Sequence, residues 1–109
     1  MDKIIERIHK LSKGDKKNTI EKCIKIQEEV GELSAEILKL RGKKGANGSS
    51  KAQIEENILE ECCDIIIITH SLIKKLKYNK ARVISAFHRK LDKVEANLKK
   101  QRLWKGQLK

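Results

Sequence analysis

The stretch ILEECCDIIIITHSLIKKLK, residues 58–77, decides the fold. Its centre, Ile65 to Ile68, is a run of β-branched residues that suits a buried strand as well as a helix. The flanks choose between them. ILEE before it and SLIKKLK after it keep apolar residues at helical spacing, and a lone strand has no partner in this chain. The stretch is therefore expected to belong to a helix from about Lys51 to Lys77, apolar all round at Ile65–Ile68 and buried there on every side. Inside it Asp64 stands between two cysteines and four isoleucines. A charge withdrawn from water costs on the order of several kcal/mol unless it is paired, protonated or bound to a metal, so this aspartate requires a compensating group.

Working outward, three more helices are predicted. Ile4, Ile5, Ile8 and Leu11 recur at helical spacing in a first helix, Asp2 to Ser12, which SKGDKK then breaks. Asn18 followed by Glu21 has the form of a capping box and opens a second helix that runs to Arg41, with Gly42 as its stop. The buried stripe expected on it is Ile20, Cys23, Ile24, Val30, Leu33, Ile37, Leu38 and Leu40. GKKGANGSS, residues 42–50, reads as a mobile loop. After a break at Tyr78 and Asn79, with Asn79 as N-cap, a fourth helix carries Val83, Ile84, Phe87, Leu91, Val94 and Leu98 on one face. Residues 102–109, RLWKGQLK, are expected to be a loose tail.

These elements describe an all-α chain of four helices. At 109 residues without proline it has the length of one domain, 1–109, and can bury only a modest core alone. Long apolar stripes on so small a chain predict that oligomerisation completes the core. The N-terminus is charged and amphipathic, with no signal-peptide core, and no segment has the apolar length of a membrane span, so no membrane partner and a cytoplasmic location are expected. Cys23, Cys62 and Cys63 lack zinc-type spacing, and reduced thiols serving as small core residues are expected.

The net charge of +11 is unevenly spread. Residues 74–109 hold 13 Lys or Arg against Asp92 and Glu95, while residues 1–73 are balanced at 13 of each sign. Such a segment suits a nucleic acid, an anionic surface or a phosphorylated small molecule. Aromatics for stacking bases are nearly absent, which argues against a non-enzymatic basic helical nucleic-acid-binding protein.

Four carboxylates point to more specific chemistry. Glu29 and Glu32 are three residues apart on the second helix, and Glu61 and Asp64 are three apart on the third, so each pair projects from one face of its helix. Packed together, the two helices would gather four negative charges, and hard divalent cations resolve such repulsion. All-oxygen ligation favours Mg²⁺, with Mn²⁺ as a substitute. The plain alternative is a solvated acidic face on which Lys25 pairs with Glu29. Gly31, in mid-helix at a cost of about 1 kcal/mol relative to alanine, and Asp64 beside the isoleucines both weigh against it.

The pattern Glu28-Glu29-x-x-Glu32 followed, after 28 residues, by Glu61-x-x-Asp64 resembles the EExxE and ExxD signature of the MazG-like all-α nucleoside triphosphate pyrophosphohydrolases. KIQEEVGEL and LEECCDIII are similar to that family's KxxEExGEL and LEExxDxxx segments, over about residues 18–75. The resemblance implies a Mg²⁺-dependent enzyme that converts a nucleoside triphosphate to monophosphate and pyrophosphate, built as a homodimer or homotetramer of helical protomers. By the same resemblance Glu29, Glu32, Glu61 and Asp64 are metal ligands and Glu28 is an accessory carboxylate. Lys90 and Lys93 of HRKLDK stand where the family contacts phosphate, with His88 in place of its usual asparagine, and Lys25 is grouped with them. A phosphoribosyl-ATP pyrophosphohydrolase shares the K-x-x-E-E-x-x-E segment, but this chain lacks that family's N-terminal serine-tyrosine-threonine element.

Overall fold

A computed structural model describes residues 2–42 and 50–108, with side chains as far as residue 102. The described residues form four α-helices and no strand: α1 (Asp2–Ser12), α2 (Thr19–Arg41), α3 (Lys51–Lys75) and α4 (Lys80–Leu108). The chain divides into two compact units, Met1–Lys77 and Tyr78–Lys109.

Local chemistry sets most boundaries. Asn18 Oδ1 accepts from the Glu21 backbone N–H at 2.8 Å, and Glu21 Oε1 accepts from the Asn18 N–H at 3.2 Å, so the capping box at the start of α2 is complete. Ser50 caps α3 by accepting from the Gln53 N–H. Gly42 ends α2 in an extended conformation rather than a left-handed one. Glycine is needed there for space, because a Cβ would lie 2.9 Å from the Leu38 carbonyl oxygen. The α3 helix stops two residues before the expected Lys77, which has a left-handed φ of 62° and donates its N–H to the Lys74 carbonyl. The predicted loop at 42–50 falls largely on residues outside the described ones.

In the first unit α2 and α3 pack against each other and α1 lies on α3. The α2–α3 pair is antiparallel, with Lys22 opposite Ser71 and Glu36 opposite Asn57. The side of α2 that faces α3 follows a 4-3 alternation through Lys22, Ile26, Glu29, Leu33 and Glu36, and that of α3 runs through Ile54, Ile58, Glu61, Ile65, Ile68 and Leu72. This corrects the expected stripe. Ile20, Ile24, Val30, Ile37 and Leu38 are exposed in the single chain, as is Cys23, and the buried residues of α2 are Lys22 and Glu29. The first residue of every seven on the α2 seam is polar: Lys22 donates to Asp15 and Ser71, Glu29 pairs with Lys25 through one oxygen only, and Glu36 accepts from Asn57.

The expectation for Ile65–Ile68 is corrected in the same way. Ile65 and Ile68 are half-buried on the seam, whereas Ile66 and Ile67 are 47 % and 46 % exposed. Two packed helices cover only one side of α3. The thiols follow suit, with Cys63 exposed and Cys62 half-buried.

In the second unit Asn79 Oδ1 accepts from the Arg82 N–H at 2.8 Å and starts α4, and the Arg82 guanidinium stacks over the Tyr78 ring at 4.9 Å. The backbone stays helical to Leu108, beyond the Arg102 at which a loose tail was expected. The Lys-, Leu- and Gln-rich sequence there favours helix and no proline interrupts it. Ile84, Phe87, Leu91, Val94 and Leu98 are exposed. No helix of the described residues is long and apolar enough to cross a membrane.

Candidate metal centre

Glu29 and Glu32 stand one turn apart on α2, and Glu61 faces them from α3. One carboxylate oxygen from each lies within 4.8 Å of the others. Glu29 is 5 % exposed, Glu61 is half-buried and Glu32 is open to solvent, so the group has a buried floor and an accessible rim.

The floor is short of partners. Lys25 Nζ lies 3.1 Å from Glu29 Oε1 and 3.4 Å from Glu28 Oε2, one turn back on α2. Glu29 Oε2 and Glu61 Oε2 are both buried with no hydrogen-bond partner. Two carboxylates this close cannot both ionise freely, and a proton between them is the simplest compensation. Glu29 beside it, then burial, pushes the Glu61 carboxyl up to about 7, while Glu29 itself is held below its ordinary value by the proton it shares with Glu61 and by Lys25. A hard divalent cation would do the same work more completely. Its preference for oxygen donors fits the three glutamates, and the two orphaned oxygens offer it lone pairs.

Asp64 is not one of the three. It sits one turn beyond Glu61 on α3 and is exposed, so the isoleucines beside it in sequence do not bury it and it needs no compensating partner in this chain. Glu28 is also exposed and bound only to Lys25. Lys90 and Lys93 are exposed residues of α4, in the other compact unit. Gly31, between Glu29 and Glu32, is exposed, and a Cβ built on it would meet nothing within 4 Å.

A neighbouring feature was not foreseen. Lys22, 2 % exposed, donates to Asp15 Oδ2 at 2.5 Å and to Ser71 Oγ at 2.8 Å. Asp15 is held in place by the Lys17 backbone N–H at 2.9 Å, and these contacts, the Lys22 hydrogen bond foremost, keep its carboxyl below the usual range. Beside them α1, α2 and α3 enclose an open pocket of about 540 Å³ whose walls include Ile4, Ile8 and Ile67 and whose polar residues include Arg7, Lys17 and Lys25. The sevenfold spacing of Lys22, Glu29 and Glu36 was the signal available in the sequence. Each lies on one helical line, and each meets a polar partner: Asp15 and Ser71 for Lys22, Lys25 for Glu29, and Lys39 and Asn57 for Glu36.

No protein-family model, curated protein or solved structure matches this chain.

Proposed function

We propose that the protein is a Mg²⁺-dependent nucleoside triphosphate pyrophosphohydrolase of the MazG-like type. The observation that carries this reading is the convergence of Glu29, Glu32 and Glu61 with two buried, unpartnered carboxylate oxygens between them. It coincides with three of the four positions, Glu29, Glu32, Glu61 and Asp64, that the resemblance makes metal ligands.

In this reading Glu29, Glu32 and Glu61 hold the cation, and Asp64, exposed one turn along α3, joins them by a change of rotamer. The cation supplies charge neutralisation and activation of a water at neutral pH. The remaining work is positioning, as phosphoryl transfer generally requires. Glu28, exposed beside Glu29, orients the attacking water. By the resemblance to that family, Lys90 and Lys93 would neutralise the polyphosphate, and water would divide the α–β anhydride into a monophosphate and pyrophosphate. A second copy of the chain covers the apolar faces of α2, α3 and α4, giving a homodimer or homotetramer.

The test is a panel of nucleoside triphosphates incubated with Mg²⁺ or Mn²⁺, with products resolved. Monophosphate and pyrophosphate are expected, abolished by EDTA and lowered at least about a hundredfold in Glu29→Gln. Lys90→Ala should lower kcat/KM at least about tenfold, roughly 1.4 kcal/mol, while Lys99→Ala changes little. Diphosphate and orthophosphate as sole products, or activity indifferent to EDTA, would overturn the assignment.

A further inference from the structure

Lys25 belongs to two places at once. Its ammonium neutralises Glu28 and Glu29 at the edge of the three-glutamate group, and its side chain lines the pocket between α1, α2 and α3. We propose that Lys25 couples the two sites: a divalent cation on Glu29, Glu32 and Glu61 displaces the ammonium, which turns into the pocket and binds the anionic part of a ligand whose apolar part lies against Ile4, Ile8 and Ile67. The proposal rests on the three glutamates being a divalent-cation site, as in the function proposed above, and names the nucleoside triphosphate as the pocket's ligand.

Three physical points lead there. A dication on the free Oε2 of Glu29 draws on the same carboxylate charge that holds the ammonium at Oε1, and repels that ammonium at short range. Glu28, the other partner of Lys25, is exposed, and a solvent-screened surface pair of that kind holds a lysine too weakly to keep it from an anion. The pocket already favours a ligand with one charged and one apolar end. Its lining holds four basic residues, Arg7, Lys17, Lys22 and Lys25, against one carboxylate, Asp15, among isoleucine walls, and about 540 Å³ is within the usual size of small-molecule sites. Lys22 is fully engaged by Asp15 and Ser71, so Lys25 is the pocket cation whose present partner a metal would remove. Among the described residues no aromatic ring lines this pocket, so a base would be gripped between aliphatic side chains rather than stacked.

The consequence is positive linkage. Cation and anionic ligand should each strengthen the other beyond their mutual attraction in solution, and by the same factor from either side.

Competitive acylation of lysines, read by mass spectrometry, tests it in the wild-type protein without any turnover. Relative to Lys51, Lys25 should become about threefold more reactive when Mg²⁺ is added, the worth of a surface ion pair. It should become protected when a non-hydrolysable α,β-methylene nucleotide follows. In calorimetry Lys25→Met should bind Mg²⁺ more tightly than wild type, having lost an internal competitor. It should bind the Mg²⁺–analogue at least about fivefold more weakly, with the linkage reduced accordingly. Lys25 labelling that ignores Mg²⁺, or equal linkage in wild type and Lys25→Met, overturns the proposal even if the enzyme hydrolyses nucleotides. The expected labelling in a protein that hydrolyses none upholds it while the pyrophosphohydrolase reading falls. No Mg²⁺ binding at all defeats both.

Discussion

At the scale of a residue, Glu61 is the most telling group in the chain. Its carboxyl is raised from 4.5 to about 7, so across that interval the folded chain holds a proton that the unfolded chain has released. The sign follows from linkage: this contribution to stability is full below 4.5 and is lost as pH rises to about 7. Glu29, whose pKa is lowered, acts in the opposite sense and loses its contribution as pH falls below the ordinary carboxylate range. In EDTA the melting temperature should therefore decline between about pH 5 and about pH 7.5, and Glu61→Gln should flatten the decline. Added Mg²⁺ should raise the wild-type melting temperature more at the upper end, because ligation requires the deprotonated carboxylate. A flat wild-type profile in EDTA would show that Glu29 and Glu61 do not share a proton. Asp64→Asn, at an exposed position, should leave the metal-free profile unchanged.

At the scale of an element, α2 is a helix whose only buried residues are polar. Its seam against α3 buries Lys22 and Glu29, and Glu36 bonds to Asn57 across the same interface, while Ile20, Ile24 and Leu38 face outward. The Lys22 pair shows how such a seam is held. Removing only one partner of a buried charge is far worse than removing the charge itself. Asp15→Asn strands the Lys22 ammonium and should cost about 2 kcal/mol, the usual figure for a buried pair discounted because Asp15 is partly exposed. Lys22→Met leaves Asp15 in reach of water and should cost less than about 1 kcal/mol. Urea unfolding of the two variants compares them directly, and a larger loss for Lys22→Met would show that the pair itself stabilises the seam. Asp15 also sets an acid limit. Its lowered pKa contributes stability above the ordinary aspartate value of 3.8, and that contribution is lost as pH falls through the folded value.

At the scale of the whole molecule, the described chain buries very little apolar surface. Ile8 and Ile54 are its only buried apolar residues among the described residues, while large aliphatic residues stand exposed on every helix. Each such side chain, if covered, is worth roughly 1.5 kcal/mol or more. A second copy placed over them would supply what the single chain lacks, and the open space at Gly31 would let another backbone approach beside Glu29 and Glu32. Light scattering should therefore find a dimer or tetramer. Ile66→Glu, on the exposed side of α3, should shift it towards monomer and lower the melting temperature. A wild-type monomer at tens of micromolar would count against assembly, and an unaffected oligomer in Ile66→Glu would place the interface elsewhere.

Which properties were legible in the chain itself follows from their range. Helix type and most ends are local: Asn18 and Glu21 announce the start of α2, Gly42 its stop and Asn79 the start of α4, because caps are made within four residues. The pairing of Glu29 with Glu32 was equally local, since a spacing of three residues places two side chains on one face. What crosses between helices was not. Apolar residues occur on several sides of α2, so periodicity alone did not pick the side that meets α3 within the chain, where the polar line Lys22, Glu29 and Glu36 lies. The same packing decided the candidate site. Sequence by itself determined four helices and the carboxylates at matching spacing; tertiary structure decided that Glu61 meets Glu29 and Glu32 while Asp64 faces solvent, because a helix shows its partner only one face and the register of α3 against α2 gives that face to Glu61.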